Sequence, residues 1–314
     1  MSLRISTAPH MHNPLTTQRL MQYVFIALVP TAAAGVYTFG LKALLVLAVA
    51  TCTAVLSEYL WQKIAGQPVR IGDFSAAVTG LILGLNLPST APWWLAVIGS
   101  AFAVIIVKQL FGGLGDNFLN PAMAARAVLL ASWPVHMTAA AYAAPSFFSG
   151  VDALASATPL GAQSSFTMTQ LFLGQIPGTI GEVCKAAILL GLLFLLVMRV
   201  ISWRIPVIMA GSVFLCSMLI GGMTPGAALA AVLSGGVLFG AVFMATDYVT
   251  SPITPLGQML YAFMIGLIIV LIRTFGSYPE GVTYGILLMN VATPLIDRFL
   301  PRAIYGYQKE GKKA

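Results

Sequence analysis

Two ionisable residues stand in or beside long apolar runs and could therefore carry chemistry. Arg126 lies within NPAMAARAVLL, and Asp247 follows an apolar run in ATDYVTSP. Charged groups in apolar surroundings are costly, so they commonly meet a ligand, line an ion path or pair with one another. Arg126 is predicted either to contact an anionic cofactor or substrate or to pair with a neighbouring helix. Asp247 is predicted either to lie on an ion path or to cap the end of its apolar segment.

The other reactive residue types are scattered. The three cysteines lack C-x-x-C spacing and are predicted to be small buried residues: they are Cys52, Cys184 and Cys216. The three histidines lie apart and outside the apolar runs: they are His10, His12 and His136. No Walker loop or G-x-G-x-x-G occurs in the sequence. The chain is therefore not predicted to bind a metal, a cluster or a nucleotide by itself.

The composition indicates a membrane protein. Of the 314 residues, 59% are hydrophobic and only 8% are charged, and the mean hydropathy is +0.91. Soluble domains carry about 25% charged residues. These values exclude an ordinary cytosolic enzyme, a nucleic-acid-binding domain and a disordered tail protein. The predicted fold class is an all-α polytopic membrane protein whose surroundings are the lipid bilayer, with no nucleic acid partner.

About ten segments are apolar enough to be transmembrane helices. The third and fifth are short and are followed by Pro88 and Pro134, so they are predicted to be broken helices inside the bundle. Glu58 and Lys63 flank Trp61 at the end of the second segment and are predicted to be interfacial anchors. The segments span roughly residues 20–39, 43–61, 74–87, 93–110, 120–133, 180–198, 205–221, 227–245, 256–272 and 281–297.

The basic residues predict the orientation. With the N-terminus inside, only Lys42, Lys185 and Arg273 of the 16 basic residues fall outside, and Arg126 lies within a span. The remaining twelve are cytoplasmic, as the positive-inside rule requires. Both termini are therefore predicted to be cytoplasmic.

An internal repeat is predicted within a single membrane domain over 1–314. Residues 101–130 and 263–290 look alike, and aligning them places Arg126 and Asn290 at equivalent positions. Each stretch follows a G-x-x-x-G pair, Gly80/Gly84 or Gly236/Gly240, which allows close helix packing. The alternative is that glycine-rich apolar helices resemble one another by composition alone.

The two repeats would have inverted topology, with five helices each. The predicted parts are repeat 1 (about 20–133), an outer-face loop (about 134–179), repeat 2 (about 180–297) and a basic cytoplasmic tail (298–314). The outer loop is rich in Ser, Thr, Gly and Pro, and loops of this length are usually functional or disordered.

Several unusual blocks resemble the NqrB/RnfD family along nearly the whole chain. They are RISTAPHMHNPLTTQRLM, APWW, VIIVKQLFGGLGDNFLNPAM, SATPL and IRTFGSYPEGVTYGILLMNVATPLIDRFLPRAIYG. The family contains RnfD of the Rnf ion-translocating electron-transport complex and NqrB of the sodium-pumping NADH:quinone reductase.

This resemblance implies a covalent flavin. In the family, a threonine in a D-x-x-S/T-G-A-T pattern receives FMN through a phosphoester bond made by a flavin transferase. The matching acceptor is Thr158, with Asp152 six residues before it and Ala157 immediately before it. Ala155 and Ser156 stand where the pattern has Ser/Thr and Gly. The orientation predicted above places Thr158 on the outer face.

The resemblance also implies the partners and the reaction. The chain would relay electrons within a bacterial inner-membrane complex with the other Rnf subunits (A, B, C, E and G), coupling ferredoxin:NAD oxidoreduction to Na+ or H+ translocation. A second, noncovalent flavin, such as riboflavin, is expected near the Asn120–Arg126 segment. Two alternatives stay open at this point: a secondary transporter or channel without redox chemistry, and a purely structural assembly protein.

Overall fold

The computed structural model describes residues 16–138, 167–276 and 281–301. Within these ranges the chain forms helices, turns and irregular segments, without a strand. The helices are α1 (Thr17–Phe39), α2 (Leu41–Ile64), a 3-10 turn (Ile71–Asp73), α3 (Ser75–Leu85), α4 (Trp93–Ala101), a π-helix (Phe102–Gln109), α5 (Pro121–Ser132), α6 (Pro134–Met137), α7 (Met168–Leu173), α8 (Lys185–Val197), α9 (Arg204–Leu219), α10 (Pro225–Leu233), α11 (Val237–Phe243), α12 (Pro255–Phe275) and α13 (Val282–Phe299).

Helices occupy each of the ten predicted apolar segments. Among the described residues, α1, α2 and α12 are each long and apolar enough to cross a membrane. The pair α10 and α11 forms a fourth candidate if the two helices are taken as one bent span. The all-helical architecture is therefore confirmed for the described residues, and its long apolar helices are consistent with a membrane protein. The number of crossings stays a prediction.

Local sequence explains where several helices begin. Asn120 precedes Pro121, and its side-chain oxygen accepts hydrogen bonds from the N–H groups of Ala122 and Met123. Thr224 and Thr254 cap α10 and α12 in the same way, and each is also followed by proline. A polar cap followed by proline satisfies the first free N–H groups and presets the first helical turn.

The third and fifth apolar segments are short and mostly buried, as predicted. They form α3 and α5, of 11 and 12 residues. Gly80 of α3 packs directly on α2, where an added Cβ would lie 2.7 Å from the Ala50 carbonyl oxygen and 2.8 Å from Thr51 Cα. The small residue thus permits the close approach expected of the first G-x-x-x-G pair.

The eighth segment departs from the prediction of one continuous helix. It forms α10 and α11, which meet at an angle of 55° around Ser234–Gly236. Gly235 has a φ of +66°, a left-handed conformation that a helix interior does not allow. The second G-x-x-x-G pair therefore begins at the break, because Gly236 lies immediately before α11.

The two halves pack in corresponding ways. In the first half α2 contacts α3 and α4, and in the second half α9 contacts α10, α11 and α12. The halves meet where α1 packs on α8 and α5 packs on α13. This correspondence agrees with the expected repeat, although inverted symmetry itself stays a prediction.

Candidate functional site

Arg126 forms a buried ion pair. Its Nη1 donates to Glu182 Oε1 at 3.0 Å and also to Asn86 Oδ1. Both charged side chains are almost inaccessible, at 3% exposure for Arg126 and 4% for Glu182. The structure thus shows the pairing alternative for Arg126, since the Glu182 carboxylate supplies the counter-charge. A contact between Arg126 and a cofactor stays a prediction.

A short segment before α8 holds Glu182 in place. The Ile180 N–H donates to the Leu87 carbonyl at 3.1 Å, and the Gly181 N–H donates to the Leu85 carbonyl at 2.7 Å. These bonds use the carbonyl of Leu85, the last residue of α3, which has no partner within the helix, and the carbonyl of Leu87 just beyond it. Glu182 was missed in the sequence, although an acidic residue inside the sixth apolar segment was a visible signal.

The ion pair joins the chain on the two sides of the outer loop. Arg126 precedes that loop on α5, and Glu182 follows it. The residues implied by the family resemblance, Asp152, Ser156, Ala157 and Thr158, lie outside the described residues. Their roles stay predictions. The Arg126–Glu182 ion pair links the segments that flank the loop that carries them.

A second buried pair overturns the interfacial role predicted for Glu58. The Lys108 Nζ lies 2.8 Å from Glu58 Oε2 and 2.9 Å from Oε1, and it donates to Ser75 Oγ at 2.6 Å. Glu58 is only 1% exposed, whereas Lys63 is exposed. Glu58 lies on the α2 face that packs against the π-helix, and its sequence neighbours Trp61 and Lys63 do not reveal that direction.

A narrow cleft with a volume of about 90 Å³ opens between the two halves. Its walls combine the beginnings of α1, α3 and α5 with the ends of the π-helix, α8 and α11. Apolar side chains such as Val78, Ile82 and Phe243 provide much of the lining. The polar lining includes Ser75, Thr79, Lys108, Asn117, Asn120 and Asp247. Apolar walls with a few polar groups are typical of a cofactor pocket.

Asp247 lies beyond the end of α11 and organises the turn there. Its carboxylate accepts hydrogen bonds from the Val249 N–H at 3.5 Å and from the Thr250 hydroxyl at 3.2 Å. Burial raises the pKa of the Asp247 carboxyl above its ordinary value. These bonds stabilise the turn after α11, whose own last groups are carbonyls that a carboxylate cannot cap. Both the cap on that segment and an ion path at Asp247 stay predictions.

Asn290, which the predicted repeat aligns with Arg126, supports the start of α5. The Tyr261 hydroxyl lies 2.7 Å from the Asn290 side-chain amide. In the amide orientation that satisfies all partners, the Asn290 oxygen accepts from the Asn120 N–H at 3.1 Å. Asn120 also donates to the Met244 carbonyl at 3.2 Å. The cleft residue Asn120 is therefore fixed by two groups of the second half.

The cysteines have different environments. Cys216 is buried, Cys184 is partly buried and Cys52 is exposed, so burial is confirmed for Cys216 and wrong for Cys52. Within the described ranges, no group of three His, Cys, Asp or Glu residues could hold a metal ion.

The chain is similar to known proteins over its whole length. Residues 4–306 match the NQR2, RnfD, RnfE family. The chain is 47% identical to the D subunit of the Na+-translocating ferredoxin:NAD+ oxidoreductase complex of Acetobacterium woodii, with 100% of this chain and 98% of the relative covered. It is 40% identical to the D subunit of the proton-translocating ferredoxin:NAD+ oxidoreductase complex of Clostridium ljungdahlii, with coverage of 97% and 96%.

A third relative is more distant. The D subunit of the ion-translocating oxidoreductase complex of Shewanella amazonensis is 37% identical, with 98% of this chain and 99% of the relative covered. Full-length matches at these identities, together with the family match over residues 4–306, establish the relationship. The chain belongs to the NQR2, RnfD, RnfE family.

Proposed function

We propose that this chain is the FMN-carrying membrane subunit of an Rnf-type complex that couples ferredoxin:NAD+ oxidoreduction to Na+ or H+ translocation. The observation that carries the proposal is the 47% identity, over the full chain, to the D subunit of such a complex. The relatives do not decide the ion, since one is named as Na+-translocating and another as proton-translocating.

Thr158 is the proposed attachment point for FMN. Its hydroxyl can form a phosphoester with the phosphate of FMN, which leaves the isoalloxazine ring free to exchange electrons. A covalent link prevents loss of the cofactor, and the protein's part is to position it. The Arg126–Glu182 ion pair supports this role because it holds together the chain before and after the loop.

The cleft is the proposed site of a second, noncovalent flavin. It contains Asn120 from the segment expected near such a flavin, whereas Arg126 is not among its lining residues. Asn117, Asn120 and Thr79 offer polar groups between apolar walls. The cleft volume of about 90 Å³ is smaller than the roughly 300 Å³ of ordinary ligand pockets, so binding of a flavin here requires the walls to move apart. The one buried lysine of the lining, Lys108, is already neutralised by Glu58, and Asp247 adds a carboxylate. This charge balance favours uncharged riboflavin over a phosphorylated flavin.

The cleft also supports the proposed alternation of the crossings, because it brings six helix ends to one side. The six helix ends that form it are all ends that alternating crossings place on the cytoplasmic side. In that arrangement Thr158 faces the periplasm of a bacterial inner membrane. The proposed partners are the other Rnf subunits (A, B, C, E and G), with a flavin transferase acting during maturation.

An electron-transfer assay tests the proposal in the intact complex. In membranes of the native host, Thr158→Ala should remove most ferredoxin:NAD+ oxidoreduction coupled to ion movement. Ser164→Ala, a matched loss of one hydroxyl in the same loop, should leave the activity unchanged. Full activity in Thr158→Ala would contradict the proposal and favour a structural assembly role.

A second candidate function is that of a secondary transporter without redox chemistry. The bent pair α10 and α11 favours it, because broken helices form ion sites in such proteins. Purified chain in liposomes would then move a solute without an electron donor. We expect no such flux.

A further inference from the structure

We propose that the break between α10 and α11 is a cation site that this chain fills with the amine of Lys185 in place of a diffusible ion. The inference goes beyond the proposed function, since it holds whether or not Thr158 carries FMN. It assigns a binding role to Lys185 and closes the broken span to the transported ion.

The break exposes backbone oxygens that need positive partners. The last carbonyls of a helix have no partner within it, and they carry the negative end of the helix dipole. α10 ends at Leu233, and the chain resumes as α11 only at Val237. In transporters, carbonyls of such unwound stretches coordinate Na+.

Here two side chains take that place. Arg273 of α12 donates from Nη1 to the Ala231 carbonyl at 2.7 Å and from Nη2 to the Ser234 carbonyl at 3.2 Å. Lys185, the first residue of α8, donates from Nζ to the Gly235 carbonyl at 3.4 Å and to the Glu182 carbonyl. The Lys185 side chain is completely buried.

The surroundings of the Lys185 amine are those of a small cation. Its two described hydrogen-bond acceptors are backbone oxygens, one from the break and one from the segment before α8. The Glu182 carboxylate stands against the same break, where an added Cβ on Gly236 would lie 2.5 Å from Glu182 Oε1. Isolated buried ammonium groups are very costly, so these oxygens are what makes Lys185 tolerable.

A filled site repels a second cation. With Lys185 and Arg273 both at the break, an incoming Na+ would meet two positive charges in surroundings of low dielectric constant. Any ion that the complex moves therefore passes elsewhere. The tethered amine cannot exchange with ions in solution, because Lys185 is fixed at the start of α8.

The experiment removes the amine and offers an ion instead. The complex purified from the native host is compared as wild type, Lys185→Gln and Lys42→Gln, the last replacing an exposed lysine near the start of α2. Thermal unfolding of this chain within the complex is followed in NaCl, KCl and N-methylglucamine chloride at equal ionic strength. We expect Lys185→Gln to unfold earlier in N-methylglucamine and to recover by about 5 °C in NaCl or KCl, because a bound ion stabilises the folded state.

The unfolding temperatures of wild type and of Lys42→Gln should be the same in the three salts. The proposal is overturned if Lys185→Gln is equally insensitive. If Lys185→Gln does not accumulate, Lys185→Arg provides the test. Accumulation of the arginine variant supports the need for a tethered cation. Loss of both variants shows that the shape of the lysine side chain is required, and it overturns the proposal. Flavin fluorescence of the denatured chain, measured in the same samples, tests Thr158 separately.

Discussion

Arg126 Nη1 lies 3.0 Å from Glu182 Oε1 in a buried ion pair that links the chain before the outer loop to the chain after it. The two residues are 56 positions apart in sequence, so the ion pair is a long-range contact that brings the two ends of this stretch together. It gives the proposed flavin loop a fixed base inside the bundle. The cleft lies at the opposite end of α3 from this pair.

Removing one partner of this pair should be costly. Glu182→Gln leaves the Arg126 charge buried without its carboxylate, which typically costs about 3–5 kcal/mol of stability. Thermal unfolding of the solubilised protein measures the loss. The double variant Arg126→Met with Glu182→Met should lose less than the sum of the losses in Arg126→Met and Glu182→Met measured singly, because neither member of the pair is then left without its partner. Simple additivity of the two losses would contradict the coupling.

The Glu58–Lys108 pair predicts a comparable contrast between two lysines. Lys108→Met strands the Glu58 carboxylate and should destabilise the protein by about 3–5 kcal/mol. Lys63→Met changes an exposed residue of α2 and should alter stability by no more than about 0.5 kcal/mol. Equal effects of the two substitutions in thermal unfolding would show that Lys108 is not a buried partner.

The different burial of Glu58 and Lys63 could not be predicted from the sequence, whereas the helical segments could. Hydropathy located all ten helical segments, and the prolines after α3 and α5 indicated that both are short. Glu58 was misassigned because its partner Lys108 is remote in sequence, and its neighbours do not reveal which way a side chain at a helix end points. The break at Gly235 was missed because small residues inside an apolar run do not change its hydropathy.

Filling the cleft should displace the noncovalent flavin alone. Thr79 lines the cleft from α3, and Thr79→Trp would place an indole where a flavin ring is proposed. Flavin released by acid from the purified complex should fall, whereas flavin attached to the denatured chain should stay. Leu44→Trp on the exposed side of α2 is the control and should change neither quantity. Undiminished acid-released flavin in Thr79→Trp would place that cofactor elsewhere.

Two glycines should respond to alanine with opposite signs. Gly80→Ala puts a Cβ 2.7 Å from the Ala50 carbonyl oxygen, and such overpacking should cost about 1–3 kcal/mol. Gly211 of α9 has nothing within 4 Å of its added Cβ. Gly211→Ala should therefore gain up to about 1 kcal/mol from helix propensity. Unfolding measurements that show both variants alike would contradict the close packing of α3 on α2.

The most direct measurement is the mass of the peptide that contains Thr158, taken from protein made in its own host. We expect a peptide heavier by one FMN group, joined through phosphate at Thr158, and an unmodified peptide in Thr158→Ala. A native, active complex with an unmodified Thr158 peptide would contradict the proposed attachment of FMN.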